Sequence, residues 1–136
     1  MPRIERVLET CLYAEDLGAA ADFYEGVLGL AVFSRVEGRH VFFRIGEAMF
    51  LIFRPQATAV TTEVPSHGAH GPGHVAFAAT SAELDGWRRR LQERGVAIER
   101  EVEWPRGGRS LYLRDPAGNS VELATPDIWA PTQENR

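Results

Sequence analysis

Gly71-Pro72-Gly73-His74-Val75-Ala76-Phe77-Ala78 is the stretch on which the fold turns, because the chain starts over there. Glycine and proline break whatever precedes it, and the alternating residues that follow read as a short strand. Upstream and downstream the sequence follows one plan: strand, helix, then three strands. His74 opens the second copy. Glu9 holds the matching place in the opening strand of the first, and Glu122 lies on the last strand of the second.

Towards the N-terminus, residues 7–13 read as a strand that places Glu9, Cys11 and Tyr13 on one face and Leu8, Thr10 and Leu12 on the other. The spacing of Leu17, Ala20, Ala21, Tyr24, Val27 and Leu28 predicts a helix over 16–28, capped by Asp16 and ended by Gly29. Strands follow over 30–36, 41–45 and 48–53, with turns at Glu37-Gly38 and Gly46-Glu47. Residues 54–73 carry Pro55, Pro65, Gly68, Gly71, Pro72 and Gly73 together with Thr58, Thr61 and Thr62, and read as a long connection between the halves.

Towards the C-terminus, the strand over 74–79 runs into Thr80-Ser81-Ala82-Glu83, a capping box in which Thr80 caps and Glu83 reaches back. The helix runs to about Arg94 and stops at Gly95, with Leu84, Trp87 and Leu91 as its buried stripe and Arg88, Arg89, Arg90 and Glu93 in water. Strands are expected over 96–102, 110–113 and 120–124, with Asp115-Pro116-Ala117-Gly118 as the turn between the last two. Residues 126–136 form a tail from which Ile128 and Trp129 are expected to dock.

The halves share letters as well as plan. Gly38-Arg39-His40-Val41-Phe42-Phe43-Arg44 lines up with Gly108-Arg109-Ser110-Leu111-Tyr112-Leu113-Arg114. Anchoring Gly46 on Gly118 sets Phe50 opposite Glu122. One such unit has an open sheet with a face left over, and two units joined edge to edge, or across a dimer, bury it. The expected fold is α+β: two βαβββ modules forming a cupped, barrel-like mixed sheet with helices outside. The chain divides into module one over about 5–54, a linker over 55–72, module two over 73–125 and the tail, all within a single domain of 136 residues.

Composition narrows the function. The chain is 44% hydrophobic and 25% charged, with a net charge of −4, which gives no footprint for nucleic acid and mildly favours neutral or cationic ligands. All 15 basic residues are arginine, so a Schiff-base lysine mechanism is excluded. Cys11 is the single cysteine, which rules out an internal disulfide and fits a reducing, cytoplasmic setting. No apolar run approaches the length of a membrane span, and no apolar stretch follows the charged first residues as it would in a signal peptide.

Several motifs together resemble the vicinal oxygen chelate superfamily, which includes glyoxalase I, extradiol dioxygenases, and fosfomycin and bleomycin resistance proteins. They are Leu12-Tyr13-Ala14-Glu15-Asp16-Leu17, Ala21-Asp22-Phe23-Tyr24, Val27-Leu28-Gly29-Leu30, Gly73-His74-Val75-Ala76-Phe77 and 114–123, Arg-Asp-Pro-Ala-Gly-Asn-Ser-Val-Glu-Leu. The resemblance implies paired βαβββ modules, a homodimer and a metal site in the cup. His74 and Glu122 match the ligands of the second module. Glu9 stands in the first-module position, where histidine is commonest and glutamine also occurs, and a glutamate there points away from a two-His, one-carboxylate iron site. Phe50 stands where glyoxalase I-type enzymes carry a further glutamate.

Strand parity makes Glu9, His74 and Glu122 a plausible set of ligands for one divalent ion (Mn, Fe, Co, Ni or Zn), with open positions for water and substrate. The small Ala76, Ala78, Ser120 and Ala124 would leave room around it. Either Glu9 or Glu122 could double as a catalytic base. His40, Phe42, Phe50, Tyr112, Arg44, Ser110 and Arg114 are candidate walls of a substrate pocket, with Arg114 able to pair with Asp115 or Glu101. His67 and His70 are candidates for a lid or a proton transfer, and Trp104 sits on a glycine-rich loop that can cover a ligand. Each has a plainer alternative as a solvated loop or packing residue. Two functions follow: a metal-dependent lyase, isomerase or dioxygenase acting on a small oxygenated molecule, or a metal-free protein that holds a cationic drug by stacking and charge. A subunit with a vestigial cup is a third.

Overall fold

The computed structural model describes residues 1–60 and 63–130, so Thr61, Thr62 and the end of the tail lie outside the described residues. By internal contacts the chain forms two compact units, Met1–Gly73 with Pro116–Gly118, and His74–Asp115 with Asn119 onward. Each is built on a four-stranded mixed sheet that is cupped rather than closed, with a helix on one face.

The first sheet runs in the order β1-β4-β3-β2, with β1 Glu9–Tyr13, β2 Ala31–Val36, β3 His40–Ile45 and β4 Ala48–Phe53. β1 lies parallel to β4, and the other pairs are antiparallel. Cross-strand partners point to the same side of a sheet. Thr10, Phe50 and Phe43 therefore share one face with Leu12, Ile52 and Val41, while Glu9, Met49 and Arg44 share the other with Cys11, Leu51 and Phe42 and with Tyr13, Phe53 and His40.

The helix expected over 16–28 covers the first of these faces in two pieces. Asp16 caps α1 (Leu17–Ala21) by accepting the Ala19 N–H at 2.9 Å, and the chain continues as a π-helix, Asp22–Val27. Its wide turn, marked by Leu28 N–H donating to the Phe23 carbonyl at 3.1 Å, lets the adjacent Phe23 and Tyr24 both bury. Tyr24 meets Phe50 edge-on at 5.0 Å and Phe43 at 5.8 Å. Each such buried ring contributes about 1.5–3 kcal/mol relative to exposure. Gly29 ends the helix at φ 73.

The connection after β4 opens with a helix where a loop is expected: α2, Pro55–Ala59, which starts on a proline at its first position. Thr58 is buried there, and its carbonyl accepts the His67 N–H at 3.0 Å, tying the loop back.

The second sheet repeats the order as β5-β8-β7-β6, with β5 His74–Ala78, β6 Arg100–Glu103, β7 Arg109–Arg114 and β8 Ser120–Ala124. Val121, Leu123, Leu111 and Leu113 share the face covered by α3 (Ser81–Glu93), whose Leu84 and Leu91 are fully buried. The capping box forms as expected, with Glu83 N–H donating to Thr80 Oγ1 and the Thr80 N–H donating to Glu83 Oε1. β6 is shorter than its expected range, because Val96 N–H donates to the Leu91 carbonyl and so belongs to the helix end.

Ile128, on the 3₁₀ turn Pro126–Trp129, sits against Gly108, where an added Cβ would come within 2.4 Å of its Cγ2. Trp129, expected to dock, is turned outward and 85% exposed. Among the described residues no helix is long and apolar enough to cross a membrane.

Candidate functional site

The second sheet brings two of the three expected ligands together. β5 and β8 run parallel with His74 beside Ser120 and Ala76 beside Glu122, so both functional side chains leave the face opposite α3. His74 Nε2 lies 3.2 Å from Glu122 Oε1. His74 Nδ1 lies 3.1 Å from the Ser120 carbonyl oxygen, which can only accept, so Nδ1 carries a proton. In a neutral ring Nε2 is then a lone pair aimed at a carboxylate oxygen. Two acceptors facing each other call for a proton or a cation between them. Glu122 is 5% exposed while His74 is open to solvent.

The surroundings of Glu122 hold it in place. Its Oε2 accepts from Ser110 Oγ at 2.5 Å, and Ser110 accepts in turn from Trp104 Nε1 at 2.9 Å. Tyr112, paired with Glu122 across the strands, stacks towards His74 at 6.5 Å. Burial first, then the Glu122 charge, raises the Tyr112 phenol above the ordinary tyrosine range and keeps it protonated. Trp104, Tyr112, Arg114 and Ser120 line a cleft of about 410 Å³ on this face. Arg114 bonds Glu99, its guanidinium donating through Nε and Nη2 at 2.6 and 3.1 Å, while Asp115 receives Asn119.

The first sheet carries the remaining candidates. Glu9 is exposed on the face it shares with Cys11, Tyr13, Leu51 and Phe53, and these line a cleft of about 460 Å³ with Val64, Pro65 and His67. His67 lies over it, its Nδ1 2.5 Å from the Tyr13 hydroxyl and its ring 5.0 Å from that of Phe53. Burial, then the Cys11 thiol, pushes the Tyr13 phenol up to about 12, so it stays a hydroxyl beside His67. His70 lines a separate cleft with Tyr13, Asp16 and Pro55. His40 is buried, stacked on Phe42 at 3.7 Å, and bonded to Ser34 Oγ at 3.1 Å and to Arg39. Burial first, then the Arg39 charge, lowers its affinity for a proton and favours the neutral ring.

Phe50 does not face this cleft. It is 1% exposed, packed on Tyr24 behind the sheet. Leu51 occupies the position that corresponds to Glu122, because it pairs with Phe42 and Cys11 as Glu122 pairs with Tyr112 and Ala76. The Gly46-to-Gly118 anchor misled because four residues lie between the paired Arg44 and Met49 in the first hairpin, whereas five lie between the corresponding Arg114 and Ser120 in the second. Counting from the tight turn would have found Leu51. Among the described residues, no three His, Cys, Asp or Glu side chains gather as a metal-holding group. His74 and Glu122 are paired in the second unit, and Glu9 belongs to the first.

The sequence model of the Glyoxalase/Bleomycin resistance protein/Dioxygenase superfamily matches residues 3–123. No curated protein matches the sequence. Among solved structures, a lactoylglutathione lyase from Agrobacterium tumefaciens is 40% identical with a TM-score of 0.92, covering 96% of this chain and 100% of that one. A glyoxalase/bleomycin resistance protein/dioxygenase from Nocardioides is 26% identical, TM-score 0.74, covering 92% of this chain and 85% of that one. A fosfomycin resistance protein from Listeria monocytogenes, 22% identical with a TM-score of 0.68 and covering 98% and 99%, shares the fold.

Proposed function

Because this chain belongs to the Glyoxalase/Bleomycin resistance protein/Dioxygenase superfamily, we propose that it is a metal-dependent enzyme of lyase or isomerase type acting on a small oxygenated molecule. The observation that carries this is the His74–Glu122 pair, in which a lone pair and a carboxylate oxygen face each other at 3.2 Å. That donor set fits a divalent ion such as Mn, Fe, Co, Ni or Zn. Glu9, from the first module of the same chain or of a second copy, would complete it. A bound ion would polarise adjacent substrate oxygens and stabilise a developing oxyanion.

The chain's own residues divide the remaining work. Glu122, or Glu9 on its side, takes the proton that leaves the substrate carbon. Tyr112, kept protonated by burial and by Glu122, is placed to donate a hydrogen bond. Leu51 brings no oxygen where Glu122's counterpart would stand, so the protein ligands number three rather than four. The 40% identity to a lactoylglutathione lyase makes lactoylglutathione the first compound to assay, and a lyase would break it down rather than form it. Turnover should vanish on chelation, return on reloading one divalent metal, and be absent in His74→Gln. Turnover indifferent to chelator would contradict the proposal.

A second reading is favoured by the aromatic cleft of Tyr13, Phe53 and His67 beside Glu9. Here the protein would hold a cationic ligand without metal. Tight calorimetric binding of a bleomycin-type cation to chelator-treated protein would decide for it.

A further inference from the structure

Glu122 has two oxygens and only one of them faces His74. What selects it lies beside it on the same face of the sheet, in the donor chemistry of Ser110 and Trp104. An indole N–H can donate and cannot accept. Trp104 Nε1 therefore fixes Ser110 Oγ as an acceptor at 2.9 Å, which leaves the serine proton to go elsewhere. Glu122 Oε2, 2.5 Å away, takes it. Ser110 is wholly buried and Glu122 nearly so, so water does not compete for the bond between them. The carboxylate is left with Oε1 towards His74.

We propose that Trp104 and Ser110 are positioning residues for Glu122: the indole sets the direction of the serine hydroxyl, and the hydroxyl makes Glu122 offer a single, fixed oxygen beside His74. This rests on the reading of His74 and Glu122 as metal ligands, but the chain of bonds is testable without metal. Trp104 lies on the loop between β6 and β7, so a residue that lines the cleft is linked through Ser110 to the Glu122 carboxylate.

The test uses ¹⁵N-labelled full chain and zinc as the probe. Ser110→Ala should weaken zinc binding about 10- to 100-fold and Trp104→Phe by a smaller factor, as removal of an outer partner of a ligand does. In the metal-free protein the Trp104 indole N–H resonance should shift in Glu122→Gln, because the hydroxyl between them loses its charged acceptor. Trp104→Phe supplies the affinity test if Ser110→Ala fails to fold. Parent-like zinc affinity in both variants would overturn the proposal, and so would an indole resonance indifferent to Glu122→Gln. If the parent binds no zinc, the ligand reading fails and the indole resonance alone decides the positioning.

Discussion

At the scale of single residues, the site is a matter of which acceptor receives which proton. His74 spends Nδ1 on a backbone carbonyl and presents Nε2, while Glu122 spends one oxygen on Ser110 and presents the other. That both residues point to one side was an expectation from the family resemblance, which strand alternation allowed and the β5–β8 register bears out. That Ser110 and Trp104 lie beside Glu122 was not legible, since the pairing of Ser110 with Ala124 is a register fact no single strand reveals. Tyr13 gives a second residue-level test. Its phenol is held up to about 12, against 10.0 for an ordinary tyrosine. The unfolded chain therefore ionises first. The stability this group contributes is intact below pH 10 and is lost as pH rises from there towards 12. Ultraviolet titration of the parent minus Tyr13→Phe should show no ionisation step near pH 10, whereas a normal step there would show that burial does not hold the Tyr13 phenol up.

At the scale of elements, the strongest local chemistry was the most legible. Asp16 and the Thr80 to Glu83 box announce their helices, and both caps form. Thr80→Ala should cost about 1 kcal/mol in urea unfolding. α2 was hidden because the breakers around it read as a loop, although Pro55 at its first turn is itself a start signal. Val96 and Ile98 imitate strand alternation, but Val96 is bonded back to Leu91 and β6 begins only at Arg100. The hairpin lengths matter most. A shift of one residue exchanges the faces of a strand, and it moves Phe50 from cleft to core. Phe50→Ala should destabilise the protein by about 3–5 kcal/mol, measured by denaturant unfolding, with metal content per folded chain unchanged. A stable variant with altered metal content would return Phe50 to the site.

At the scale of the whole molecule, the internal repeat was the legible feature, and the two sheets share one strand order. The repeat could not say how a ligand from one unit meets ligands from the other, because Glu9 and the His74–Glu122 pair stand on separate sheets. A homodimer is the arrangement we propose for the assembled site. Sedimentation equilibrium should give twice the chain mass of 15.1 kDa, and a monomer that holds metal would place all three ligands in one chain. The measurement that bears most directly on the central claim is elemental analysis of purified, tag-free protein beside His74→Ala. We predict close to one equivalent of divalent metal per chain in the parent and none in the variant. No metal in either after reloading, or equal metal in both, would contradict the assignment of His74 and Glu122 as a metal centre.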